Sequence, residues 1–257
     1  HLMLAVRDLA VSYGRARIID GLDLDVPRGG VTTIIGPNGC GKSTLLRATA
    51  GLIPRDRGVV SLNGQDTATM KRREIARTLA VLPQTPVAPE GLTVRDLVAR
   101  GRHPHQTWLR QDSPEDRLAV DEVMELTQIA QLADRPLERL SGGQRQRAWI
   151  AMVLAQDTPL VFLDEPTTYL DLSHSIEVLS LVRRLADETG RTVVMVLHDL
   201  NLAARYSDCL VVMKRGEVVT VGSPIEALSE QLLSDVFDLP ALVTNDPVTG
   251  GPLIVPR

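Results

Sequence analysis

The nine residues from Gly36 to Thr44 constrain the fold more than any other part of the sequence. They read Gly-Pro-Asn-Gly-Cys-Gly-Lys-Ser-Thr and satisfy the pattern G-x-x-x-x-G-K-[ST]. Residues 31–35 before them, Val-Thr-Thr-Ile-Ile, predict a buried strand, and a helix is predicted from about Lys42 to Ala50, where Gly51 stops it. This order of strand, glycine-rich loop and helix is the context that the pattern requires.

The residue types in this loop suit the binding of a nucleotide's phosphates. Glycines let successive backbone N–H groups point at phosphate oxygens, and the N-terminus of the following helix adds the positive end of its dipole. Lys42, one of only three lysines in the chain, is predicted to neutralise the β and γ oxygens. Ser43 is predicted to bind Mg²⁺ and Thr44 to contact the α-phosphate. The predicted ATP-binding positions in the loop are Gly36, Pro37, Asn38, Gly39, Cys40, Gly41, Lys42, Ser43 and Thr44.

Two adjacent acids end an apolar run further along the chain. Residues 160–165 read Leu-Val-Phe-Leu-Asp-Glu and predict a buried strand with Asp164 and Glu165 at its carboxyl end. An isolated Asp-Glu pair would as readily begin a loop, but in a parallel α/β sheet this end of a strand meets the phosphate loop. We therefore predict that Asp164 holds Mg²⁺ and that Glu165 polarises the attacking water as general base.

Composition and charge narrow the classes of protein that fit. With 257 residues, 44% hydrophobic and 23% charged, the chain fits one large α/β domain with a substantial core. The formal net charge of -4 offers no overall basic field, so no nucleic-acid partner is predicted. Cys40 and Cys209 form no disulfide or metal pattern and are predicted to be reduced thiols. No apolar run is long enough to span a bilayer, so any membrane role is expected to act through a partner.

Hydrophobic periodicity divides the chain into strand-rich and helix-rich parts. The first part predicts an antiparallel sheet, in which the Asn63-Gly64 pair makes a tight turn. Residues from about 93 to 155 predict an inserted helical subdomain, and strands alternating with helices predict a parallel sheet. We expect one α/β domain over residues 3–239, followed by a C-terminal tail over residues 240–257.

One further element separates the chain from helicases, kinases and GTPases, which also combine a phosphate loop with an acidic strand. Residues 140–144 read Leu-Ser-Gly-Gly-Gln and resemble the signature sequence of ABC ATPases. They stand directly before a predicted helix and about twenty residues ahead of the acidic strand, which is the spacing of that family. The resemblance implies a P-loop NTPase core with a parallel sheet, an N-terminal antiparallel β subdomain and an inserted α-helical subdomain.

The resemblance also implies an ATP site shared by two chains. The signature begins a helix whose N–H groups can hold a γ-phosphate, and in the family that phosphate belongs to the nucleotide on the opposite subunit. The implied assembly is a head-to-tail homodimer with two ATP molecules between phosphate loop and signature. The implied signature contacts to ATP are Ser141, Gly142, Gly143 and Gln144.

Further positions match the family in order. Tyr13 resembles the aromatic residue that stacks on adenine, Gln84 the glutamine that senses magnesium, and His198 the histidine that contacts the γ-phosphate. Asp171 occupies the segment that crosses the dimer interface in the family, although Tyr169 stands where a small residue is more usual. The predicted magnesium ligands are therefore Ser43, Gln84 and Asp164, and the predicted catalytic residues are Lys42, Gln84, Glu165 and His198.

Segments outside the catalytic motifs carry a finer resemblance. Together they are similar to the ATPases of ferric-siderophore importers, a group that also serves haem and vitamin B12. These segments are residues 101–105, 164–172, 198–201 and 245–256. The resemblance implies ATP hydrolysis that energises the uptake of a ferric siderophore across the cytoplasmic membrane.

The same resemblance implies the partners and the location. The partners are transmembrane permease subunits and, indirectly, an extracytoplasmic substrate-binding protein. The surface between Gln84 and Gln106 is expected to receive a coupling helix of the permease. The chain is accordingly expected at the cytoplasmic face of the inner membrane, as a peripheral subunit.

Other functions stay open on the sequence. The cargo could be haem or vitamin B12, and the transporter could be an exporter or a different importer. A soluble ABC ATPase of DNA repair or translation is the alternative from another class. Such proteins usually carry a coiled-coil insertion or two ATPase cassettes, and these 257 residues show neither pattern. The membrane protein that co-purifies with the chain would separate these alternatives.

Overall fold

The computed structural model describes residues 1–106 and 113–257. The strands are β1 (Leu2–Tyr13), β2 (Ala16–Pro27), β3 (Gly30–Ile35), β4 (Arg57–Leu62), β5 (Gln65–Asp66), β6 (Leu79–Leu82), β7 (Leu160–Asp164), β8 (Thr192–Val196), β9 (Cys209–Lys214), β10 (Glu217–Gly222), β11 (Ala241–Asn245) and β12 (Pro252–Pro256). The α-helices are α1 (Lys42–Thr49), α2 (Arg72–Thr78), α3 (Val94–Arg100), α4 (Pro114–Leu126), α5 (Gly142–Ala155), α6 (Leu172–Thr189), α7 (Leu200–Tyr206), α8 (Pro224–Ala227) and α9 (Glu230–Phe237). The chain divides into a first unit, residues 1–70 with 183–257, and a second unit, residues 71–182.

The first unit opens with the predicted antiparallel sheet, whose strand order is β2-β1-β4-β5. β1 begins at Leu2, one residue before the predicted start of the domain. The Asn63-Gly64 turn joins β4 to β5, and both residues have positive φ, 49° and 83°. This conformation is the one that favours Asn-Gly in a two-residue hairpin turn, and it confirms the prediction.

The core of the first unit is a set of parallel strands. β3 pairs with β8 on one side and with β9 on the other, both in parallel, and β10 adds an antiparallel strand to β9. All five residues of β8 are buried, as expected for a strand that is covered on both faces. Because β3 and β8 run in parallel, the phosphate loop after Ile35 and the residue His198 leave the sheet at the same edge.

The second unit contains another parallel pair and most of the predicted helical region. β6 pairs with β7 from Leu79 opposite Leu160 to Leu82 opposite Leu163. α3, α4 and α5 lie in the range predicted as a helical subdomain, 93–155, whose boundaries stay a prediction. Residues 107–112 of that range lie outside the described part of the chain. Among the described residues, no helix is both long and apolar enough to cross a membrane.

A nearly buried ion pair fixes the segment after α3 in the second unit. The guanidinium of Arg102 contacts Asp116 on α4 at 2.9 Å and donates to the carbonyl of Ala155 at 2.9 Å. The two charged side chains are only 12% and 9% exposed. Burial acts to raise the pKa of Asp116, but hydrogen bonds from Arg102 and Gln106 outweigh it and lower that pKa below its usual value. Arg102 therefore attaches the residues that follow α3 to α4 and to the end of α5.

The residues predicted as a C-terminal tail form an ordered hairpin in the first unit. β11 and β12 pair along their full length. Asn201 on α7 exchanges two hydrogen bonds with the backbone of Ile254, at 3.1 and 2.8 Å. Arg205, one turn further on, donates twice to the buried carboxylate of Asp246, at 3.0 and 2.6 Å. The hairpin thus packs on the helix that follows His198.

Asp246 gives this attachment a defined pH dependence. The backbone N–H of Val248 and the Arg205 side chain lower the pKa of Asp246 from 3.8 to about 2. Because the folded pKa is the lower one, the stabilisation is complete above about pH 4 and is lost as the pH falls towards 2.

We expect Asp246→Asn to lose less stability than the native chain when the pH falls from about 4 to about 2. The free energy of unfolding, measured with urea at each pH, tests this. Asp134→Asn, which removes one exposed charge, is the control, and equal pH profiles for the two variants would contradict the assignment.

Candidate functional site

Glycines shape the phosphate loop, two by their backbone conformation and one by a close contact. Gly39 and Gly41 have φ of 74° and 105°, which side-chain-bearing residues rarely adopt. A Cβ on Gly36 would overlap the carbonyl oxygen of Met213 on β9. The loop therefore follows a path that only this glycine pattern permits, and α1 begins directly after it at Lys42.

The Lys42 ammonium lies inside the loop. It is 5% exposed and donates to the carbonyls of Gly36 at 2.8 Å and Pro37 at 3.0 Å. It also lies 3.9 Å from the sulfur of Cys40. Burial raises the pKa of the Cys40 thiol, and the nearby Lys42 charge opposes that rise only in part. Cys40 is accordingly a buried thiol and not an activated one.

Gly216, between β9 and β10, supports the loop from outside the motif. Its N–H donates to the Cys40 carbonyl at 2.8 Å. Its φ is 79°, and a Cβ there would overlap the carbonyl oxygen of Ile18. The sequence does not reveal this role, because an Arg-Gly pair in a hairpin indicates only a turn and carries no sign of the loop it contacts.

The remaining predicted residues of the first unit differ in exposure. Thr44 is 9% exposed and Ser43 is half-buried, since α1 packs into the core. Tyr13, at the end of β1, is 48% exposed, so its ring is accessible. His198 is exposed at the carboxyl end of β8, and the next residue, Asp199, caps α7 by accepting the N–H of Leu202 at 2.9 Å.

The second unit brings Gln84 and Glu165 into direct contact. β6 and β7 pair in parallel as far as Leu82 and Leu163, and each of the two residues lies two positions beyond, so the strand pairing sets their separation. The amide of Gln84 donates to Oε2 of Glu165 at 2.5 Å, and the Thr168 hydroxyl donates to the same oxygen at 3.1 Å. Glu165 itself has a φ of 52°, a left-handed conformation that turns the chain sharply after β7. Asp164, the preceding residue, is 2% exposed.

Thr168 is a second residue whose role the sequence does not reveal. Its hydroxyl orients the predicted general base, yet a threonine three residues after an acid gives no sequence signal of that role. The turn from Glu165 to Thr168, closed by a backbone hydrogen bond of 3.2 Å, brings the hydroxyl back to the carboxylate.

The signature residues form the N-terminus of α5. Ser141 accepts the N–H of Gln144 at 3.2 Å, and the Gln144 side chain accepts the N–H of Ser141 at 3.1 Å. This reciprocal capping box satisfies two backbone N–H groups at the start of α5. Ser141 and Gly142 are exposed, whereas Gly143 is buried.

The predicted site residues fall into one set in each unit. The first unit holds Tyr13, Gly36 to Thr44 and His198, and the second holds Gln84, Ser141 to Gln144, Asp164 and Glu165. The contacts described join residues within each set. The roles predicted for these residues in binding and catalysis stay predictions.

Gly216→Ala tests the support of the phosphate loop. The added methyl must push Ile18 away and also strain the backbone, so we expect a loss of about 3 kcal/mol in the free energy of unfolding. ATP affinity should fall as well, because the bond to Cys40 is displaced. Gly190→Ala is the control: its φ is also positive but open space surrounds it, so only about 1 kcal/mol is expected. Urea unfolding and ATP titration measure both effects, and equal results for the two variants would contradict the role of Gly216.

The fold and the loop define the class of the protein as a nucleotide-binding α/β protein. A family model described as ABC transporter matches residues 19–168. A petrobactin import ATP-binding protein of Bacillus anthracis is 50% identical over 254 residues, which cover 99% of this chain and 93% of that protein. The ferric enterobactin transport ATP-binding protein of Escherichia coli is 46% identical over 248 residues, which cover 96% and 92%. A solved structure described as a metal-chelate type ABC transporter in an inward-facing conformation has a TM-score of 0.86 at 27% identity, covering 100% of this chain and 97% of that chain.

The chain belongs to the ABC transporter family. Its fold is that of an ABC ATPase, which confirms the predicted fold class. Such a fold binds a nucleotide.

Proposed function

We propose that this chain is the ATP-hydrolysing subunit of an importer that takes up a ferric siderophore. The cargo assignment is supported by relatives that match nearly the whole chain at 46% and 50% identity and act in petrobactin import and ferric enterobactin transport. Resemblance in the segments outside the catalytic motifs supports it as well. Energy for uptake comes from ATP binding and hydrolysis.

The observation that carries the hydrolytic part is the carboxylate of Glu165 at the end of β7. Gln84 and Thr168 hold one of its oxygens by hydrogen bonds. A carboxylate fixed in this way can accept a proton from an attacking water, which is the role of a general base in phosphoryl transfer. Lys42 neutralises the charge that develops on the β and γ oxygens, and His198 contacts the γ-phosphate.

The proposed ligand atoms are of the kind that a magnesium ion prefers. Mg²⁺ prefers oxygen ligands, and the proposed set provides the Ser43 hydroxyl, the Gln84 amide oxygen and the Asp164 carboxylate. When bound, the ion neutralises charge on the phosphates of ATP. Gln84 donates to Glu165 through its nitrogen, so its oxygen is the atom that this contact leaves for the ion. The amide would thereby link a bound ion to the general base.

We propose that the working form is a head-to-tail homodimer. The first turn of α5 exposes Ser141 and Gly142 beside the helix N-terminus, where backbone N–H groups suit an anion. ATP held by the phosphate loop of one copy would meet this turn on the other. Closing the dimer would complete both sites, and hydrolysis would let it open.

The permease is proposed to dock on the surface between Gln84 and Gln106. Val87 is 90% exposed and His103 is exposed, so both are available to a partner. Arg102 is not, because its guanidinium is committed to Asp116. Substitutions at Val87 or His103 are therefore the appropriate probes of docking, whereas a change at Arg102 would disturb the fold. Docking would hold the chain at the cytoplasmic face of the inner membrane, with an external binding protein acting through the permease.

Glu165→Gln and Lys42→Ala separate the two chemical roles. Loss of the general base should lower kcat at least about 100-fold and leave ATP bound, so that dimers accumulate. Loss of the Lys42 charge should instead weaken ATP binding by about 10- to 100-fold. An ATPase assay, ATP titration and light scattering measure these quantities. Normal turnover in Glu165→Gln would reject the general-base assignment, and unchanged affinity in Lys42→Ala would reject the phosphate contact.

Growth on defined iron sources after deletion of the coding sequence tests the cargo. We expect loss of growth on ferric siderophores and full growth on haem, with the cobalamin-dependent phenotype unchanged. Lys42→Ala expressed in place of the native chain should reproduce the deletion. A growth defect restricted to haem or to vitamin B12 would favour those importers. Purification of the chain from cells without any permease bound to it would favour a soluble ABC ATPase.

A further inference from the structure

One side chain joins two segments that the family resemblance places at the dimer interface. Residues 141–144 begin α5, and Asp171 directly precedes α6. His174 lies in the first turn of α6 and contacts both segments. It belongs to neither motif, and no role was predicted for it from the sequence.

The first contact of His174 is with the carboxylate of Asp171. Oδ1 of Asp171 accepts the backbone N–H of His174 at 2.8 Å and lies 2.7 Å from its ring nitrogen Nδ1. The backbone bond caps α6, and the ring bond fixes the orientation of the imidazole. The backbone N–H of His174, followed by its ring, lowers the pKa of Asp171 below its usual value. The carboxylate is therefore charged at neutral pH.

The second contact is with Gly143 of the signature. A Cβ placed on Gly143 would lie 2.5 Å from Cδ2 and 3.1 Å from Cγ of the His174 ring. Such distances are shorter than any ordinary carbon contact, so the ring lies directly against the bare glycine backbone. This contact explains why Gly143 is buried while its neighbours Ser141 and Gly142 are exposed.

An ion pair repeats the contact one turn further along both helices. Arg147 of α5 pairs with Glu177 of α6. Arg147 follows Gly143 by four residues, so these two share one face of α5. Glu177 follows His174 by three residues and shares one face of α6 with it. Two contacts thus join the first turns of α5 and α6: the His174 ring against Gly143, and the ion pair one turn further on.

We propose that His174 is a positioning residue that holds the Asp171 segment against the signature, so that the two present one fixed surface to a second copy of this chain. The inference rests on the proposed function, because that function requires an ATP-dependent dimer. The ring sets the distance to Gly143, and Nδ1 sets the direction of Asp171. If His174 only stabilised the start of α6, its loss would change stability and leave dimerisation intact.

Two substitutions separate the contacts, both made in a Glu165→Gln background that accumulates the dimer. His174→Phe keeps a ring against Gly143 but removes the donor to Asp171, and His174→Asn keeps a donor but removes the ring. We expect each to raise the dissociation constant of the ATP-bound dimer about tenfold, because His174→Phe loses a hydrogen bond to a charged group and His174→Asn loses the ring contact. Analytical ultracentrifugation with ATP measures it. The affinity of the monomer for ATP should not change, because the phosphate loop is intact.

The exposed neighbour Ser173 provides the matched control, as Ser173→Ala. In the background with Glu165 intact, the two His174 variants should lower kcat and leave KM for ATP near that of the control. Equal dimerisation by His174→Phe, His174→Asn and Ser173→Ala would overturn the inference while leaving the proposed function standing. Failure of Glu165→Gln itself to form a dimer with His174 present would overturn both.

A double-mutant cycle tests the ring contact independently of the dimer. Gly143→Ala alone should lower the melting temperature, because its methyl collides with the ring. Combined with His174→Ala, the same change should cost much less, since the ring is gone. Additive losses in the double variant would reject the contact between Gly143 and His174.

Discussion

Parallel strand pairing is the interaction on which the candidate site depends. In the first unit β3 and β8 pair, so the phosphate loop and His198 emerge together. In the second unit β6 and β7 pair, and two residues beyond the last paired residues Gln84 meets Glu165. A slip of one residue in either pair would turn the following side chains to the opposite face of the sheet. The hydrophobic burial that fixes the register of the strands therefore also fixes the positions of the candidate site residues.

Close backbone approaches form the second constraint. Gly36, Gly143 and Gly216 each stand where a Cβ would overlap another part of the chain. Two of them belong to motifs predicted to bind phosphate, and their lack of a side chain also serves packing. Gly36 lets the loop pass β9, and Gly143 lets α5 meet the ring of His174. Packing and binding thus demand the same residue at these two positions.

Local signals in the sequence predicted local structure well. The helix predicted over residues 42–50 is observed over 42–49, and the Asn63-Gly64 turn has the expected backbone. In both cases the deciding residues are neighbours in the chain. The C-terminal residues were expected to form a tail, but they pair with each other and attach to α7 through Asn201. That attachment joins residues 53 positions apart, which no local pattern encodes.

The sequence by itself determined the class of fold and located the phosphate loop, the acidic strand end and the signature, because the three motifs are short runs that stand in a consistent order along the chain. Only the tertiary structure decided that Gly216 supports the loop, that Thr168 orients Glu165 and that His174 joins Asp171 to Gly143. These supporting residues are common types without a distinctive pattern. Their roles arise from packing, which places segments side by side according to the shape of the whole core and not according to local sequence.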